Sequence, residues 1–299
     1  MTKLNLEINK RISELQHLLK QFELKKKVYK IIIKGKGLDF DGFRAYTPSD
    51  DASLIDWKAT KRANKVLIKQ YKEEDDLSAI FAVDCGKRML TGSSQKLKCE
   101  YAAEVAASLA YLTLNSNNKA GFIFFNKKNY YIAPTKGKNS FYMAIDELSK
   151  AERYDEKTDF LSFSNFLLNV INKKIDSVII ISDFLFDLKK VEKEFKLIGR
   201  KFETMAIVIR DPIDKKLPKE KGEVFLEDPE TGEQIITNTK LIENIYEKIM
   251  KEHDDEMKKI FLENGIDFIE LQTNSNFSLS LTEFIKRRIR EETKYGNIL

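Results

Sequence analysis

A chain of 299 residues, 42% hydrophobic and 33% charged, can bury a sizeable core beneath a well-solvated surface, as one large domain or a domain with an appended subdomain. Its formal net charge of +5, from 52 basic against 47 acidic residues, is small for this size and gives only weak support for a nucleic-acid partner. Cys85 and Cys99 form no Cys-x-x-Cys pair, which argues against structural zinc and a disulfide framework, and His17 and His253 sit in polar helical stretches that leave little room for histidine-dependent catalysis.

Met1 to Lys10 holds no apolar segment of signal-peptide length. The most apolar window, Val178 to Phe186, is too short for a bilayer and is broken by Asp183. A soluble, cytoplasmic protein is expected. Leu4 to Lys27 places Leu4, Ile8, Ile12, Leu15, Leu18, Leu19 and Phe22 on one stripe of a helix, which either packs on its own domain or docks a partner. Val28 to Ile33 reads as a short strand. In Gly35 to Gly42 the third glycine is displaced from the dinucleotide spacing, and no Gly-rich loop ends in Gly-Lys-Ser/Thr, so no nucleotide site is indicated.

The next block, Phe43 to Arg62, is dense. It holds the only tryptophan, Trp57, with Arg44, Tyr46, Asp50, Asp51, Asp56, Lys58, Lys61 and Arg62, and Pro48-Ser49-Asp50-Asp51 reads as a turn with a helix-capping option. A mixed-sign cluster around an aromatic is either an internal network tying a small subdomain to the rest or a recognition surface. Its bases can meet phosphates, but the neighbouring acids pair with them, so nucleic acid is the lesser use. Val66 to Tyr71 alternates as a strand, and the acidic run Glu73 to Asp76 reads as a boundary.

From Leu77 the pattern becomes regular. Ala79 to Val83 is a continuous apolar run that stops at Asp84, as in a strand buried on both faces with a polar residue at its carboxyl end, where open α/β sheets bind ligands. Leu97 to Leu114 is a helix with many alanines, and Gly121 to Phe125 a second buried strand. Tyr130 to Ile132 returns as an antiparallel edge strand, and Phe141 to Leu148 and Phe160 to Ile171 are helical, the latter capped by Thr158-Asp159. Val178 to Asp183 repeats the apolar-run-then-aspartate theme; Val191 to Ile198 is a helix and Thr204 to Ile209 a strand. Residues 211 to 264 read as an inserted segment, turn-rich around one strand candidate, Val224 to Leu226, then a long helix from Leu241 to Leu262 ended by Gly265. Asp267 to Leu271 is a last strand and Leu279 to Ile289 a last helix. This alternation predicts an α/β fold with a doubly wound, mostly parallel, Rossmann-like sheet over residues 77 to 299, and a small N-terminal helix/β subdomain over residues 1 to 76.

Phe43-Arg44-Ala45-Tyr46-Thr47-Pro48-Ser49-Asp50-Asp51 with Ile55-Asp56-Trp57-Lys58-Ala59 resembles the signature of the domain of unknown function 58 family, with Ser49 where glycine is usual. Ile181-Ser182-Asp183-Phe184, Arg210-Asp211-Pro212, Leu217-Pro218 and Asp228 to Glu233 follow the family's pattern in the same order. The resemblance implies a von Willebrand A-like domain. In related domains an Asp-x-Ser-x-Ser loop, a threonine and a second aspartate hold Mg²⁺ or Mn²⁺ in an oxygen shell, which a partner's carboxylate can complete. Here Asp84, Thr158 and Asp183 match, while Gly86 and Arg88 stand at the serine positions, so a metal site is degenerate and a bound ion disfavoured. The expectation is that Arg88, helped by Lys87, replaces the ion by pairing with Asp84 or Asp183, and Ser93 and Ser94 lie off the pattern.

The resemblance also implies a non-enzymatic adaptor or co-chaperone of a MoxR-type AAA+ ATPase. The contact surface expected from the residues themselves is Arg44, Tyr46, Asp50, Asp51, Asp56, Trp57, Lys58 and Arg62 with Lys87 and Arg88 of the Asp84 loop, the block from Arg44 to Arg62 serving equally well as an internal network. One alternative is a metal-dependent hydrolase using Asp84 and Asp183 with Asp39 or Asp41, which needs a bound metal and an activated water. No Gly-x-Ser-x-Gly elbow offers a serine route. Another is a polyanion-binding or nucleic-acid-binding protein.

Overall fold

The structure, a computed structural model, describes residues 3–21, 39–47, 50, 55–63, 65–72, 77–170, 175–217 and 223–296. The strand expected over 28–33 lies outside them. Two compact units divide the chain: residues 36–76 form one, and residues 1–35 with 77–299 the other. This differs from a boundary at residue 76, because helix α1 (Ile8–Gln21) belongs to the larger unit. The reason is its apolar stripe: Ile8, Ile12, Leu15 and Leu19 are buried in that unit's core. Buried Glu104 anchors it further, pairing with Arg11 at 3.3 Å and accepting from the Glu7 N–H at 2.7 Å.

The small unit is built on an antiparallel pair, β1 (Asp39–Ala45) and β2 (Leu67–Lys72), with helix α2 (Trp57–Ala63) between them in sequence. The register slips between Phe40 and Gly42, so the described end of the Gly-containing stretch, residues 39–42, is a bulged strand, and the rest lies outside the described residues.

The large unit carries a six-stranded sheet in the order β10-β7-β6-β3-β4-β5. In chain order these are β3 (Ser78–Asp84), β4 (Lys119–Phe125), β5 (Tyr130–Thr135), β6 (Ser177–Ser182), β7 (Glu203–Arg210) and β10 (Asp267–Gln272). All neighbours are parallel except β4 and β5, the antiparallel edge that the turn at 126–129 predicts. Central β3 is buried on both faces. Ala79, Phe81 and Val83 enter the core shared with α1, α3 (Lys98–Asn115), α4 (Lys138–Leu148) and α9 (Phe277–Gly296). Ile80 and Ala82 enter the core shared with α5 (Phe160–Asn165), α6 (Glu192–Lys201) and α8 (Thr239–Glu263). Ala102, Ala103, Ala106, Ala107 and Ala110 of α3 are all buried, as close packing on a sheet demands.

Between β7 and β10 lie a short helix, α7 (Pro212–Lys215), a hairpin of β8 (Glu223–Glu227) and β9 (Gln234–Asn238), and α8. Strand β9 is absent from the sequence reading. Its Ile235 and Ile236 are both exposed, so no core alternation marks it. The α8 stripe also divides: Met257, Ile260 and Phe261 are buried, while Leu241, Ile245 and Ile249 face outward. Gly265, at φ +67, ends the helix in a conformation that favours glycine.

Candidate functional site

The parallel strands β3, β6 and β7 bring Asp84, Ser182 with Asp183, and Arg210 to one carboxyl edge. All four are fully buried. Asp84 Oδ1 accepts from the Gly86 N–H (2.8 Å) and from Thr158 Oγ1 (2.8 Å), and its Oδ2 accepts from Ser182 Oγ (2.6 Å). The expected triad therefore divides: Asp84 and Thr158 meet, and Asp183 turns to different partners. Ser182 follows from strand register, standing one position past the Val83–Ile181 pairing.

Asp183 Oδ1 accepts from the Leu185 N–H (3.0 Å) and its Oδ2 accepts from Lys98 Nζ (2.8 Å). Lys98 is also 3.3 Å from Asp214 Oδ1. Arg210 donates to the Asp183 carbonyl and reaches Asp254 of α8 at 2.7 Å. Phe184 then turns at φ +51, a left-handed conformation costly for a bulky residue, by roughly 1–3 kcal/mol. Its N–H donates to Ser182 Oγ at 3.0 Å, and its ring is buried among Phe186, Phe195 and Phe261.

The cation in this site is thus Lys98. Arg88, on the 3-10 turn Lys87–Leu90, makes its ion pair with Glu230 at 3.4 Å, so the expected pairing with Asp84 or Asp183 is corrected. Lys87 is exposed. Position explains the difference: Lys98 is the first residue of α3, with its ammonium withdrawn from water, whereas Lys96 stands in the bend before the helix and pairs with Glu7 and Glu104. A helix N-terminus repels a cation, so two carboxylates on Lys98 offset both its burial and its position. Ser93 and Ser94 go elsewhere. Ser93 donates to Asp211, and Thr273 Oγ1 donates to Asp211 Oδ2 (2.7 Å) while lying 3.2 Å from Ser94 Oγ.

The charges follow this geometry. Burial and the neighbouring Asp183 raise the Asp84 carboxyl from 3.8 to about 6, despite its hydrogen bonds to Ser182, Gly86 and Thr158. Burial pushes Asp183 the same way, but the Lys98 ammonium and then the Arg88 guanidinium overcome it and hold Asp183 at about 2. Burial depresses Lys98, and Asp183 and Asp214 more than restore it.

A divalent ion does not fit these residues. Asp84 is engaged by two hydroxyls and an amide, and Asp183 already holds an ammonium. Two unit charges about 4 Å apart interact by roughly 4 kcal/mol at an effective dielectric near 20, and a divalent ion doubles the repulsion from Lys98. Nor can a side chain be restored at Gly86, because a Cβ there would overlap Thr158 Oγ1 and come within 2.8 Å of the Thr158 nitrogen. Among the described residues no cluster of three or more His, Cys, Asp or Glu side chains is arranged to hold a metal.

In the small unit, Arg44 forms a two-pronged pair with Asp50, both contacts 2.7 Å, and Asp50 also accepts from the Thr47 N–H at 2.9 Å. Asp56 caps α2, accepting from the Ala59 N–H at 2.9 Å. These acids shape local structure. Trp57 is 70% exposed and α2 has no buried residue, so of the two uses open to this block the outward one is available to the tryptophan. Lys58 and Arg62 are exposed beside it and Tyr46 is half-buried, while Asp51 and the side chains of Asp39 and Asp41 lie outside the described residues.

The sheet order, the antiparallel edge and the polar carboxyl end define a von Willebrand A-like α/β domain. The conserved hypothetical protein BatB from Bacteroides thetaiotaomicron has this fold, at 18% identity over 73% of this chain and 99% of that one, with a TM-score of 0.50. An aerotolerance-related membrane protein from Bacteroides fragilis aligns at 15% identity over 71% and 99%, TM-score 0.46, and the VWA domain of SpRpn10 at 11% over 69% and 93%, TM-score 0.39. No curated protein matches the chain. The chain belongs to the family described as Protein of unknown function DUF58, whose family model matches residues 42–258. Among the described residues no helix is long and apolar enough to cross a membrane.

Replacing Lys98 with Met leaves Asp183 and Asp214 without their counter-ion, and a loss of about 3–5 kcal/mol is expected in chemical denaturation. Adding Asp183→Asn and Asp214→Asn should recover part of it. For Asp84 the folded-state value lies above the unfolded one, so its contribution is full below about pH 4 and is lost as pH rises through about 6. Wild type should therefore lose roughly 2–3 kcal/mol relative to Asp84→Asn across that window, read from denaturation midpoints at each pH.

Proposed function

We propose that this protein is a non-enzymatic interaction module whose sheet-edge metal site has been replaced by an internal ammonium. The observation that carries this reading is Lys98 Nζ at 2.8 Å from Asp183, where related domains hold a cation. Asp84 and Asp183, the carboxylates a hydrolase would need, are both committed to partners within the chain, so neither is free to activate a water. What remains for the edge is recognition by shape and charge. In the small unit, exposed Trp57 flanked by Lys58 and Arg62 has the make-up of an interface anchor.

The partner is proposed from the family resemblance: a MoxR-type AAA+ ATPase, with this chain as its adaptor or co-chaperone in protein-complex assembly. Affinity purification from the source cell with wild type, Trp57→Ala and Arg88→Asp tests it. The expected result is an AAA+ ATPase recovered with wild type, identified by mass spectrometry, and lost with either variant. Recovery of no ATPase by wild type, or equal recovery by all three proteins, would contradict the reading.

A further inference from the structure

Arg88 is poorly served by its own chain. Its side chain is 16% exposed, and its Nε and Nη2 atoms are buried without a hydrogen-bond partner among the described residues. These two donors point to the same side of the guanidinium and match the two oxygens of one carboxylate. Asp183 and Asp228 act on Arg88 by charge alone, and the group that pairs with it is Glu230, which meets the fork incompletely. Its Oε1 lies 3.4 Å from Arg88 Nη2, near enough to pair by charge but not aligned as a hydrogen bond. The same Oε1 accepts from the Thr158 N–H at 3.1 Å. One oxygen is therefore shared between two donors that a well-placed carboxylate would satisfy separately.

Glu230 comes from the turn between β8 and β9. That turn is organised by Asp228, which accepts from the Glu230 N–H (2.9 Å) and from Thr231 Oγ1 (3.0 Å). The hairpin behind it holds little of itself down: Phe225 is 73% exposed, and Ile235 and Ile236 are exposed as well. Apolar burial thus contributes little to keeping Glu230 in place, and its reach across 72 residues to Thr158 rests on the carboxylate itself.

We propose that the Arg88 fork and the Thr158 N–H form a receptor for an acidic side chain of a partner protein, and that Glu230 occupies it as a stand-in in the free chain. This deepens the interaction-module reading above and rests on it. The ligand class is an acidic peptide segment, with Asp228-Pro229-Glu230-Thr231-Gly232 as its template within the chain. Binding requires the hairpin turn to give way, so an incoming carboxylate competes with Glu230. Because Thr158 also donates through its hydroxyl to Asp84, an occupied receptor is tied directly to the buried edge.

The test uses full-length protein and a synthetic peptide of residues 226–234, with a second peptide carrying Glu230→Gln. Each is titrated to millimolar concentration while the Arg88 Nε–H resonance is followed by NMR. In the Glu230→Ala protein the native peptide should shift that resonance saturably. The Gln peptide should not, and wild type should need about tenfold more peptide, the equivalent of one charge-assisted hydrogen bond lost to competition. Arg88→Met in the Glu230→Ala background removes the resonance, so there binding is read from the peptide's own signals and should vanish; Arg88→Lys, which keeps the charge without the fork, should weaken it. Equal affinity of wild type and Glu230→Ala, equal binding of the two peptides, or binding that survives Arg88→Met would overturn the proposal. The assay contains no ATPase: positive peptide binding beside a pull-down without ATPase would refute the partner named above and support the receptor.

Discussion

An ammonium withdrawn from water has to be neutralised where it stands, and in this protein that requirement organises the sheet edge. Lys98 sits at the first position of α3, where the helix end itself repels a cation. Asp183 at 2.8 Å and Asp214 at 3.3 Å supply the balance, one from the end of β6 and one from α7. Three elements distant in sequence are thereby fixed to one point. Asp211 and Asp214 cap α7 reciprocally, so the Asp211-Pro212 turn is shaped to present the second carboxylate. A buried pair of this kind is weak evidence for net stability, because desolvation consumes much of its Coulombic gain. What it supplies here is position: α3, β6 and α7 meet in one internally balanced charge arrangement.

Around that point the other groups divide the work. Asp84 gathers three donors and stands at the limit of what burial lets a carboxylate keep ionised. Phe184 accepts a strained backbone so that the chain can turn directly after Asp183, and the three rings of Phe186, Phe195 and Phe261 hold it there. Arg210 ties the Asp183 carbonyl to α8, joining the helix that follows the hairpin to the same edge. The outermost layer, Arg88 with Glu230, is less complete than the layers beneath it, and that gradient is what the recognition proposal uses.

Much of this was legible in the residue order. Ala79 to Val83 and Val178 to Ile181 are continuous apolar runs, and strands buried on both faces leave no other pattern. Asp84 and Asp183 then mark the carboxyl edge because each ends such a run. Lys98 was not legible. It stands two residues from Lys96 in a polar stretch, and only where α3 begins decides which lysine meets the sheet edge and which meets Glu7 and Glu104. Arg88 misled through its nearness to Asp84 in sequence, because the 3-10 turn directs its side chain toward Glu230, 142 positions on. For Trp57 the residue order left a core role and a surface role open, and only the helix placement decides: α2 has no buried face. Strand β9 escaped because its isoleucines are exposed and carry no inward alternation.

We propose that Lys98 stands where related domains hold a divalent ion. Isothermal titration of Mg²⁺ and of Mn²⁺ into the wild-type protein addresses it directly. No saturable heat into the millimolar range and no change in the thermal midpoint are expected with either ion. Saturable binding with a sub-millimolar Kd, lost in Asp183→Asn, would contradict the proposal, because an ion held by Asp183 requires Lys98 to stand elsewhere.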